Sequence, residues 1–74
     1  MATRCGERHR WSAENHEEAA RRCLVTADHW DARGDGERAE FERRRACLEW
    51  AVAGLERDRG DLEDLRADPP PSSL

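Results

Sequence analysis

Alanine recurs every seven residues twice in this chain, at Ala13, Ala20 and Ala27 and again at Ala39, Ala46 and Ala53. Small apolar residues at heptad spacing mark a helix that packs along one narrow seam. Between the two runs stands Arg33-Gly34-Asp35-Gly36, where a glycine can take the left-handed conformation that stops a helix and an aspartate can cap the next one. If the chain reverses there, position i faces position 66 minus i, so Ala27 meets Ala39, Ala20 meets Ala46 and Ala13 meets Ala53. Three alanine layers in one register predict an all-α, antiparallel two-helix hairpin whose backbones approach at the close end of the usual ~8 to 10 Å range. His16, Cys23 and Trp30 recur every seven between the first three alanines, so Trp30 is expected as a seam residue too, at its turn end; the register places Trp50 beside His16 in the seam, and Leu24 widens the seam on one side.

Local signals set the expected boundaries. Ser12 is a good N-cap, with Glu14, Glu17 and Glu18 following it and Arg21 and Arg22 further on, the order that the helix dipole favours. Trp11 would then precede the cap and pack over His16. Helix 1 is expected over 13–33 and helix 2 over 36–57. The pattern can carry helix 2 to 66, although Gly54 and Gly60 each cost roughly 1 kcal/mol relative to Ala. Residues 1–11 read as a polar arm and 67–74, with their Pro-Pro-Pro-Ser-Ser run, as a disordered tail.

The hairpin leaves a second stripe unused. Phe41, Leu48, Leu55 and Leu62 also recur every seven residues, with Ala51, Val52 and Leu65 beside them. At 100° per residue Leu48 lies roughly 160° around the helix from Ala46. Composition makes that stripe matter: of 74 residues 41% are charged and 36% apolar, and 11 of the apolar residues are Ala. Chains of this size fold alone only marginally without disulfides, a metal or a second copy. Phe41, Leu48, Val52, Leu55 and Leu62 are therefore the expected partner-binding residues, and the expected assembly is a homodimeric four-helix bundle. The alternative occupant is a helix of another protein, in which case the chain is an accessory subunit of the antitoxin or anti-factor type.

The spacing of Ala27, Trp30, Gly34, Ala39 and Ala46 is similar to that of a tetratricopeptide repeat over residues 20–53. It departs where that motif has Trp and this chain Cys23, an aromatic and this chain Arg43, and the closing proline and this chain Ala51. Such repeats need neighbours to bury their faces, and no second copy is visible; the shared feature is close packing of two helices.

Other functions find little support. Cys5, Cys23 and Cys47 are an odd number at wide spacings, which reads as reduced thiols, two of them buried, and not as a secreted disulfide framework. Cys5 and His9 are four apart, as two metal ligands on a helix would be, but zinc signatures bring ligand pairs from two places; no metal site and no cofactor are expected, and a small metal sensor is the least favoured reading. A two-helix chain offers no pocket or oxyanion hole to a Cys-His pair, so no catalytic residues are assigned. The one dense basic cluster, Arg43, Arg44 and Arg45, is flanked by Glu40, Glu42 and Glu49 and reads as a solvated face, with Glu40/Arg44 and Arg45/Glu49 pairs and with Arg43 reaching Asp31 or Glu40. With a net charge of -4 and a pI near 5.3, nucleic acid is not an expected partner. No apolar run approaches the ~18 to 20 residues of a membrane span, and none follows the basic N-terminus, so a cytoplasmic location is expected. All 13 Lys or Arg residues are Arg, which fits a GC-rich bacterial genome. The expected function is a small, non-catalytic interaction or adaptor module.

Overall fold

The computed structural model describes residues 6–67, and they form two long helices, α1 over Glu7–Ala32 and α2 over Gly36–Ala67, packed antiparallel. The reversal is a Schellman turn. Gly34 has φ +81°, its N–H donates to the Asp31 carbonyl at 3.0 Å, and the Asp35 N–H donates to the Trp30 carbonyl at 2.9 Å, the two bonds that satisfy the last carbonyls of a helix ending on a left-handed residue. Asp35 starts α2 by accepting from the Arg38 N–H at 3.1 Å through its side chain. The Arg38 guanidinium carbon sits 4.6 Å from the centre of the Trp30 ring, so the half-buried tryptophan lies over the turn and not within the seam.

The seam is made of the smallest residues available. Ala13, Ala20, Ala39 and Ala46 are fully buried, Ala27 and Ala53 nearly so, and Cys23 is the one other buried apolar residue of the described chain. The same register continues one layer beyond the alanines, because Gly6 and Gly60 are also buried and their backbones touch. A methyl group built on Gly60 would lie 2.9 Å from the Gly6 carbonyl oxygen and 3.3 Å from Cβ of His9, and one on Gly6 would run into the Gly60 carbonyl. Gly60 therefore continues α2 instead of ending it.

This layer explains why α1 begins earlier than its capping signal. Ser12 and Trp11 lie inside the helix, and Trp11 is exposed, so neither acts as a cap or a staple. Instead the Gly6 N–H donates to the Asp64 carboxylate of α2 at 2.8 Å, and Arg10 pairs with the other oxygen of Asp64 at 2.9 Å. A carboxylate from the neighbouring helix meets the positive end of the α1 dipole. Part of the expected arm is thus the first turn of α1; residues 1–5 and 68–74, with Cys5 and the proline-rich tail, lie outside the described residues.

Interhelical ion pairs line both flanks of the seam. Residues three beyond a seam position make one row, in which the Nδ1 of His9 meets Glu56 at 2.8 Å and that of His16 meets Glu49 at 2.5 Å. Residues four beyond it make the other, in which Arg10 meets Asp64, Glu17 meets Arg57 and Asp31 meets Arg43. Each row repeats at seven, as the seam does. Trp50 belongs to the second row and is 41% exposed, so it is not buried in the seam, and the polar partner of His16 is Glu49. One residue is 100° of rotation, enough to move a side chain from one flank to the other.

Gly60→Ala tests the close approach. Despite the gain in helix propensity, the added methyl should lower stability by about 1 to 3 kcal/mol, read by thermal unfolding followed by circular dichroism. Unchanged or increased stability would mean that the backbones are not in contact there.

Candidate interaction surface

Once the hairpin has closed, its large apolar side chains are on the outside. None of them is fully buried. On α2, Phe41 is 63% exposed, Leu48 68%, Leu55 67% and Leu62 46%. Each stands two residues beyond a seam position, about 160° from α1, and together they run some 32 Å along the helix at 1.5 Å per residue. Val52 borders the row on one side, Ala51 and Leu65 on the other, and all three are exposed. The outer face of α1 is different: Trp11 and Val25 are exposed there, but Arg8, Asn15, Glu18, Arg22 and His29 separate them. Among the described residues only α2 carries an unbroken row of large apolar side chains at heptad spacing.

The polar residues are mostly occupied within the hairpin. Arg43 reaches Asp31, with Glu40 at 4.0 Å, and Arg44 reaches Glu40 at 3.9 Å. The pair expected between Arg45 and Glu49 is replaced by Glu49 with His16, so the three consecutive arginines point in different directions and present no single basic patch. Glu17 and Glu18 diverge in the same way, to Arg57 on α2 and to Arg21 within α1. His9, which with Cys5 and a third ligand from His16, Cys23, His29 or Cys47 would make the metal reading, is held by Glu56. Among the described residues no group of three or more His, Cys, Asp or Glu is placed to hold a metal ion, and no helix is long and apolar enough to cross a membrane.

The two described cysteines are both free thiols in contrasting settings, Cys23 buried and Cys47 exposed. Only one of them is therefore buried, because residue 47 lies about 100° from the seam. Burial pushes the Cys23 thiol above its ordinary value; the nearby Arg45 opposes this, and a hydrogen bond with Glu42 adds to it. A thiol held protonated is a weak nucleophile, and here it behaves as a small core residue.

Comparison with protein-family models, curated proteins and solved structures finds no match. The repeat-like spacing of residues 20–53 belongs to helices of 26 and 32 residues that run beyond it at both ends. The exposed row of Phe41, Leu48, Leu55 and Leu62 on α2 is legible in its heptad spacing, and the Arg43–Asp31 contact in the register; the remaining flanking contacts need the rotation of each helix as well as the register.

The His9–Glu56 contact sets a pH dependence. The hydrogen bond from the His9 ring holds the Glu56 carboxyl below its ordinary value of 4.5, against a smaller opposing effect of burial. A carboxyl depressed in the folded state adds stability that is present above the unfolded-state value and is lost as the pH falls through the folded one. Unfolding midpoints measured from pH 7 downwards should decline below about pH 5, and Glu56→Gln should flatten part of that decline. An identical slope in the variant would contradict this role for Glu56.

Proposed function

We propose that this chain is a small non-catalytic interaction module that self-associates through the outer face of α2, using Phe41, Leu48, Val52, Leu55 and Leu62. The resulting homodimer is a four-helix assembly with the two α2 helices at its centre and the two α1 helices outside. One observation carries this reading: the hairpin buries alanines and leaves its leucines exposed in a row. A buried methyl contributes about 0.8 kcal/mol, whereas each Leu or Phe of the stripe would contribute about 1.5 to 3 kcal/mol when covered. Most of the hydrophobic free energy open to the chain is therefore realised only on association. A two-fold homodimer covers identical stripes with each other and is the commonest oligomer symmetry.

Leu48→Asp, compared with Val25→Asp on the outer face of α1, tests the assignment by sedimentation equilibrium. The wild type and Val25→Asp should sediment at twice 8.5 kDa, whereas Leu48→Asp, which would bury an unpaired charge at a cost of several kcal/mol, should be monomeric. A Leu48→Asp variant that stays dimeric and equally stable would remove the stripe from the interface.

A further inference from the structure

The outer face of α2 has a second row beside Phe41, Leu48, Leu55 and Leu62, formed by Arg44, Ala51, Asp58 and Leu65. All four are exposed. The two rows alternate at three and four residues, the spacing of a seam that packs against another helix. Two charges interrupt it, and they are opposite in sign and equidistant from Ala51, at seven residues on either side. The hairpin gives neither a strong partner. Arg44 has only a 3.9 Å contact with the exposed Glu40, and Asp58 forms no ion pair with the described residues.

Resting on the self-association reading, we infer that the two α2 helices pack antiparallel about a two-fold axis through Ala51, with Arg44 of each chain paired to the partner's Asp58. Position i then faces position 102 minus i of the partner. Both charges in the seam are neutralised by this operation, twice per dimer. The same register sets Leu48 over the partner's Gly54 and Leu55 over the partner's Cys47, so that the large residues of one helix meet small ones on the other. Gly54 has no other role in the hairpin: a Cβ built there meets nothing within 4 Å, although a mid-helix glycine is unfavourable. Phe41 comes near the partner's Leu62 and Leu65.

The parallel arrangement is disfavoured by the same residues. It would stack Arg44 on Arg44 and Asp58 on Asp58 within the seam, where like charges are costly. In return it would gain rim pairs of Glu40 with Arg45 and Asp61 with Arg66, and solvent-exposed pairs contribute little. The seam outweighs the rim. Self-complementarity of this kind also favours a second copy over an unrelated helix, since one chain supplies both halves of each pair.

Sedimentation equilibrium on the wild type, Arg44→Asp, Asp58→Arg and the double variant tests the arrangement, with circular dichroism to follow helicity. Each single reversal places two like-charge pairs in the seam and should raise the dimer Kd by about tenfold or more; the double variant should return it to near the wild-type value. A dimeric wild type whose single variants are unchanged, or whose double variant is not restored, would overturn the antiparallel pairing while leaving self-association standing. A wild type that is monomeric at every concentration would overturn self-association itself, and the arrangement with it.

Discussion

The close approach of the two helices, backbone against backbone at Gly6/Gly60 and across buried alanines along the rest of the seam, constrains everything else in this molecule. Helices can come this close only where both carry hydrogen or methyl side chains, so the seam excludes the large residues that would normally build a core. Two consequences follow together. The flanks of the seam are near enough for side chains to bridge them, and six polar pairs do so, from Arg10 with Asp61 and Asp64 at one end to Asp31–Arg43 at the other. The leucines and Phe41 are displaced to the far side of α2, where the hairpin has nothing to cover them.

The flanking pairs specify more than they stabilise. Partly exposed ion pairs are each worth about 0.2 to 1 kcal/mol, but their heptad recurrence penalises any sliding of one helix on the other. A shift by one residue would break both His-Glu contacts and the whole row of Arg-carboxylate pairs at once. Register is therefore held by polar pairs, closeness by alanine and glycine, and the remaining large apolar side chains of α2 are left exposed.

Much of this was readable from spacing alone. The alanine heptads gave the hairpin and its register, and the Gly34-Asp35 pair gave a turn that the hydrogen bonds reproduce in detail. The first turn of α1 is not legible locally, because capping rules favour Ser12 as the helix start and weigh Gly60 only by its poor helix propensity. The signal was present: 6 and 60 also sum to 66, one heptad beyond Ala13 and Ala53. A glycine that costs propensity in isolation becomes the residue that a close contact requires, and no single-helix rule weighs that. Trp50 was misplaced for a related reason, since a register fixes the layer of a residue but its flank depends on a further 100° of rotation. The Asp64 cap was out of reach of local reasoning because its two ends are 58 residues apart.

On the proposal above, the seam closes a hairpin whose stability is completed by a second copy. Light scattering and circular dichroism on the same dilution series of the wild-type protein test it most directly. A helical species of twice 8.5 kDa that loses helicity as it dissociates is the predicted result. A stably helical monomer, unchanged across the series, would show that the alanine seam suffices by itself and would contradict it.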